Sequence, residues 1–268
     1  LREQAGRTQQ AVAEAIGKAR TKIVALEDGA TTASTEDLEA LLDCYGVRGA
    51  ERRVVLDLGA QARKRPQRRA HVDMLSGADS RFADLEATAT EISGYEFGIV
   101  PGPLQSPEYV RAVFEEGAGI WQGKGKSEAE DRLDFRLRRL EKLWSSTEPK
   151  QLRYVVTEGS LHANMGRPEV MRGQLRHMLS LLYGRADLDI RVLPDDTYGN
   201  PARGSNLTIF GFGDRMTPVG YSSAVLGPSK YYDEPEDLAL LQLAFDRIWE
   251  LSLNERESRR LITELEET

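Results

Sequence analysis

The chain carries one cysteine, Cys44, and only three histidines, His71, His162 and His177, in 268 residues. A single thiol excludes an internal disulfide, and histidines this scattered, with no cysteines beside them, do not make a zinc site. Cys44 falls on an apolar stripe between Leu41 and Tyr45, where it reads as a buried structural thiol. No apolar run approaches the roughly 20 residues that a membrane span requires, and the opening segment lacks the basic-then-apolar layout of a signal peptide. The expectation is a soluble, cytoplasmic protein with no metal and no cofactor. Nucleotide motifs are missing too: Gly123-Lys124-Gly125-Lys126-Ser127 has Ile120 where a phosphate loop needs its first glycine, and Gly211-Phe212-Gly213 has Met216 where a dinucleotide fingerprint needs its third. Ser160 and His162 lie close together without a G-x-S-x-G elbow around them. Asp195-Asp196, between Pro194 and Gly199, reads as a turn and not as a metal-ligand pair. No catalytic residue is expected.

What is present suffices for a packed core. Apolar residues make up 40% of the chain, and the length fits one large or two modest domains. The net charge of -7 is unevenly spread: residues 1–75 hold 13 basic against 11 acidic side chains, and the remainder holds 23 against 32. A mildly basic front therefore precedes an acidic back. Within the front, Arg63-Lys64-Arg65-Pro66-Gln67-Arg68-Arg69 packs five cations into seven residues around a proline. That run reads as a basic linker, either a solvated hinge or a phosphate contact.

At the front, Thr8 to Gly17 and Ala19 to Gly29 read as two short helices meeting at a glycine turn. Val12 and Ile16 are four apart on the first, and Ile23 and Leu26 three apart on the second, so each helix has one apolar stripe to bury against the other. Gly17 can supply the positive φ of the turn. This is a helix-turn-helix, a motif that lays its second helix in the major groove of DNA. Ser34-Thr35-Glu36-Asp37 can cap a further helix bearing Leu38, Leu41, Leu42 and Tyr45, with Gly46 after it.

These residues resemble the helix-turn-helix of Cro/C1-type (XRE-family) regulators: Thr8-Gln9 opening one helix, Ala13 at the crossing, Gly17 in the turn, then Ile23, Leu26, Glu27 and Gly29. In the family pattern Ala19, Val24 and Ala25 stand where polar residues commonly occur. Arg20, Thr21 and Lys22 are then the expected readers of DNA, with Gln9 beside them and Arg63, Lys64 and Arg65 on phosphate.

From about residue 79 onward helical stripes alternate with short extended runs, which predicts an α+β domain whose mixed, short-stranded sheet is packed by helices. Phe82, Leu85, Ala89 and Ile92 mark one helix, and Ser106 caps another that begins at Pro107. Ser127-Glu128-Ala129-Glu130 resembles a capping box before an amphipathic helix bearing Leu133, Leu137, Leu140 and Trp144. Further helices follow Pro168, Pro235 and Asn254. Strands are expected at 95–100, 152–157, 189–193, 207–212 and 218–221. The predicted organisation is a helix-turn-helix domain at 1–62, a basic linker at 63–78 and an α+β domain at 79–268.

The second part also resembles a known type. The run from Tyr95 through Pro101-Gly102-Pro103-Leu104-Gln105-Ser106 to Tyr109, then Val155-Val156-Thr157-Glu158, Gly166-Arg167-Pro168-Glu169 with Gln174-Leu175, and Ile190 to Pro194 are similar, in order and spacing, to the C-terminal domain of actinobacterial XRE-family regulators. That domain has long been of unknown function and is likened to antitoxins. The resemblance implies a transcriptional regulator on double-stranded DNA with a small protein partner and no catalytic residues; a homodimer is expected because such motifs read paired half-sites, and a small-molecule effector is the other reading of the second domain. An effector pocket is expected around Tyr95, Glu96, Phe97, Tyr154, Glu158 and Tyr221, against the reading that most of these aromatics are simply core. Two alternatives stay open: an enzyme derived from such a regulator and acting on a small molecule, and a pure interaction module.

Overall fold

The computed structural model describes residues 1–63, 71–72, 78–117, 126–145, 149–163, 165, 167–223 and 229–268. At the front, α1 (Gln9–Ala15), α2 (Arg20–Glu27), α3 (Thr35–Tyr45) and α4 (Gly49–Arg63) form the helical part. Each start has a local cause. Thr8 caps α1 by accepting from the Ala11 amide, and Ser34 caps α3 by accepting from Asp37, satisfying donors the first turn leaves orphaned. Gly17 adopts φ +66° between α1 and α2, a conformation that a side chain would strain. Val12, Ala13, Ile23 and Leu41 make the small core, with Ile16, Leu26, Cys44 and Tyr45 packed at its margin. Cys44 is thus half-buried at the edge of that core.

The larger part is built on a mixed sheet. Its strands are β1 (His71–Val72), β2 (Glu91–Glu96), β3 (Gln151–Thr157), β4 (Leu188–Leu193), β5 (Asn206–Gly211), β6 (Val219–Ser222) and β7 (Lys230–Tyr232), in the order β1-β7-β6-β5-β2-β3-β4. Strands β2, β3 and β4 are parallel, and the others join antiparallel. Parallel neighbours need crossovers. The first uses α5 (Ala78–Thr88) only as a lead-in and crosses through α6 (Pro107–Glu116) and α7 (Lys126–Trp144). The second crosses through α8 (Glu158–Leu161) and α9 (Pro168–Gly184); α10 (Pro235–Leu251) and α11 (Glu255–Glu266) close the chain.

Side chains alternate across a strand, so the sheet has two dressed faces. One face carries Ile92, Tyr154, Val156, Ile190, Val192 and Phe210, and is covered by a large cluster with Tyr109, Leu143, Leu175, Met178 and Ile262. The other carries Tyr95, Val155, Leu193, Leu207 and Ile209 against Phe245 and Ile248 of α10. On that side Arg191 and Arg153 stack on the Trp249 ring at 4.1 and 5.6 Å.

The expectations hold for most helices and shift at three places. Ile92, expected on a helix, lies in β2, which runs 91–96 instead of 95–100; Gly98 at φ +78° turns the chain away after it. Ser127 lies one residue inside α7 and not at its cap. Strands β1 and β7 were not expected, and β1 falls in the 63–78 segment. Buried polar groups supply further fastenings. Lys150, 3% exposed, donates to the Ala87 and Ala89 carbonyls at the end of α5, where a cation offsets the helix dipole. Gln174 accepts from the Ser106 amide at 2.7 Å and donates to the Leu104 carbonyl at 2.6 Å. Gln105 donates to the Val100 carbonyl, and the Tyr109 hydroxyl accepts from the Val100 amide. The 101–109 run is therefore a buried turn locked to α9.

Candidate nucleic-acid interface and effector cavity

The helix-turn-helix presents a polar concavity of about 640 Å³ lined by Arg2, Glu3, Gly6, Arg7, Thr8, Gln9, Gln10 and Arg20. Two of the lining side chains, Arg2 and Gln9, are held by Glu27. That carboxylate accepts from Arg2 Nε at 2.5 Å and Nη2 at 3.2 Å, and from Gln9 Nε2 at 2.8 Å. Burial opposes its ionisation, but the hydrogen bonds from Arg2 and Gln9 outweigh that and hold its pKa below the ordinary range. The Gln9 amide oxygen then faces Arg20 Nη2 at 3.4 Å. Arg20 and Thr21, at the start of α2, are exposed.

Lys22 sits differently. It and Lys18 converge on Asp37 of α3, with Nζ to carboxylate distances of 2.5 and 3.0 Å. Hydrogen bonds from Lys22 and Lys18 hold the Asp37 pKa at about 2, although the carboxyl is only 7% exposed. The lysines keep about two-fifths of their side-chain surface, 40% and 39%. Asp37 thus anchors two cations beside α2, and no periodicity in the sequence pairs them. Arg63 donates to the Ala33 carbonyl at 3.0 Å and closes α4 onto the α2–α3 connection. Lys64 and Arg65 lie outside the described residues.

In the larger part the six residues expected to share a pocket divide between the two sheet faces. Tyr95 is fully buried on the α10 side, its hydroxyl held by Asn200 Nδ2 at 2.8 Å. Phe97 is 46% exposed beyond the end of β2. Glu158 accepts from the Asp195 amide at 3.3 Å while Asp195 accepts from the Gly159 amide at 3.0 Å, a latch between two strand ends. Glu96, Tyr154 and Tyr221 do share a face. Register places Tyr154, Gly94, Thr208 and Tyr221 in one row across β3, β2, β5 and β6.

Over that row lies a small enclosed cavity lined by Phe82, Glu86, Ile92, Gly94, Glu96, Pro101, Pro103, Arg139, Tyr154 and Thr208. Glu86 is 2% exposed and takes a forked contact from Arg139 at 2.6 and 3.2 Å. The Tyr154 hydroxyl is buried with no hydrogen-bond partner among the described residues. Burial pushes its pKa well above the ordinary tyrosine value, so it stays a neutral donor. Burial also raises Glu96, against the opposing pull of Arg136, Arg139 and a hydrogen bond from the Gly102 backbone. The Tyr154 ring fits because Gly94 lacks a side chain: an added Cβ would stand 2.7 Å from Cε1. Phe82 of α5 forms the roof, edge-on to Tyr221 at 4.5 Å and to Phe210 at 5.4 Å, with the Arg139 guanidinium 4.5 Å from its ring centroid. Sequence reading missed Phe82, Glu86, Arg139 and Thr208, which reach this site from separate elements. Among the described residues no group of three or more His, Cys, Asp or Glu side chains could hold a metal ion, and no helix is long and apolar enough to cross a membrane.

Two short helices around a glycine turn, with a polar face at the start of the second, define a helix-turn-helix protein, and a helix-turn-helix domain family matches residues 1–55. That domain supports a DNA-binding role. The chain belongs to the family described as a domain of unknown function (DUF5753), whose model matches residues 79–264. No curated protein and no solved structure matches the chain.

Proposed function

We propose that this protein is a DNA-binding transcriptional regulator, one that docks α2 in the major groove of an operator as a homodimer and reads a small-molecule effector with its larger domain. Arg20 and Thr21 meet base edges, Gln9 is held against them by Glu27, and Arg2 and Arg7 meet phosphate. The observation that carries the reading is the concavity between the 2–10 segment and Arg20 of α2, where three arginines and two glutamine amides line one hollow. Lys22, tethered to Asp37, contributes field more than a directed contact.

The effector half of the reading is supported by the Tyr154 cavity, whose volume of about 20 Å³ suits a water, so a larger guest enters only by displacing the Phe82 roof. A buried donor without a partner among the described residues, beside a buried ion pair, is an arrangement that binding sites keep and cores avoid. Its roof is α5, the first described helix after the basic run, so a guest that lifts Phe82 would move the chain leading to the helix-turn-helix. A mobility shift on duplex DNA from upstream of the protein's own coding sequence, at low salt, tests the first half. A retarded band that Arg20→Ala weakens is expected; no band with any upstream fragment refutes it.

A further inference from the structure

Helix α10 has a second face. Phe245 and Ile248 are fully buried against the sheet, yet Leu240 and Leu243 stand 65% and 67% exposed on the side away from it. A single exposed leucine means little. Here two sit on one stripe, with the exposed Ala239 beside them, and the stripe is flanked by exposed charges of opposite sign: Glu236, Leu240, Leu243, Arg247. Those positions are spaced four, three and four residues apart, the spacing of a seam between packed helices.

The stripe is also complementary to its own reversal. Laid antiparallel on an identical helix about a two-fold axis between Leu240 and Leu243, it sets Glu236 against Arg247 of the second copy, and Leu240 against Leu243, with each contact made twice. That is the condition for an isologous interface. We infer that the outer face of α10 pairs with the same face of a second copy of this chain, through four leucines closed at both ends by Glu236–Arg247 contacts. Charge selects this occupant: the same stripe laid parallel would bring Glu236 to Glu236 and Arg247 to Arg247. The loop bearing Tyr198, 95% exposed, approaches α10 at Gly199, beside Arg247 and Leu251. The 3.4 Å contact from Arg247 to Glu250 is exposed and easily exchanged. One helix face per copy makes a small interface, so the dimer is reversible and strengthened when two half-sites on one duplex hold both copies.

This inference rests on the homodimer proposed above and names its surface. Sedimentation velocity over a concentration series tests it on the full chain. The wild-type chain should dimerise reversibly, and Leu243→Arg should weaken the dimer by at least ~30-fold, as expected for a central apolar contact. Glu236→Arg and Arg247→Glu should each weaken it by like-charge contact, and the double variant should regain it. All four positions are exposed, and the double variant reports on folding as well as on pairing. A wild-type chain that stays monomeric, a dimer indifferent to Leu243→Arg, or a double variant no better than either single one overturns the interface. Duplex binding read on the same samples by fluorescence anisotropy tests the regulator reading separately: a chain that pairs through α10 yet ignores DNA refutes that reading and leaves the interface standing.

Discussion

Replacing Tyr154 by Phe should make the protein more stable. The hydroxyl is buried, lacks a partner among the described residues, and sits on a ring whose packing against Gly94 would not change. Leaving a buried polar group unsatisfied costs about 1–3 kcal/mol. Removing it enlarges the cavity by only one oxygen, which returns a fraction of that gain. The net expectation is about 1 kcal/mol in favour of the variant, a rise of about 2–4 °C in the melting temperature of a domain this size. Thermal unfolding followed by circular dichroism, with urea melts to confirm that the slope is unchanged, reads the effect. The same variant should respond less to an effector, because a site trades stability for an available donor. A Tyr154→Phe protein that melts lower by 1 kcal/mol or more would show that the hydroxyl is fully engaged, and the cavity would lose its claim to a guest.

Further outcomes follow from the same contacts. Gly94→Ala should destabilise by about 1–3 kcal/mol because its Cβ meets the Tyr154 ring, and Tyr154→Leu in that background should recover part of the loss in a urea melt. Asp37 has its pKa lowered from 3.8 to about 2 by Lys22 and Lys18, so its contribution is complete above about pH 5 and is lost as pH falls through 2. Asp37→Asn should therefore cost about 1 kcal/mol at neutral pH, after allowance for the solvent-exposed lysines, and progressively less as pH falls through 2. Urea midpoints measured across that range check it, and a gap that fails to close on acidification contradicts the pairing.

Local features of this chain were legible in its sequence where one residue acts on its own turn. Thr8, Ser34, Ser106 and Asn254 each cap the helix that their position announces. Strand β2 was misplaced because it is buried on both faces through Ile92-Ser93-Gly94-Tyr95, so no alternation marks it, while Phe97, Ile99 and Val100 just after it lie in the bend around Gly98. Strands β1 and β7 are two and three residues long, too short to carry a period. The site was harder still. Glu86 and Arg139 meet across 53 residues, and the row Tyr154, Gly94, Thr208, Tyr221 exists only through strand register. Polar-tipped aromatics pointed to a pocket in the right domain, but the period of two that sends Tyr95 and Glu96 to opposite faces divides them. The pairing of Lys22 with Asp37 likewise needed the packing of α3 beside α2.

Whether the face at the start of α2 lies on duplex DNA is read from the salt dependence of binding. Fluorescence anisotropy with a labelled upstream duplex, titrated at several salt concentrations, gives the slope of log affinity against log salt, which counts phosphates neutralised. A steep negative slope that Arg7→Ala lowers by about 1 is expected, with a selective loss on the preferred duplex for Arg20→Ala. A slope near zero, or variants indistinguishable from wild type on every duplex, would contradict that placement.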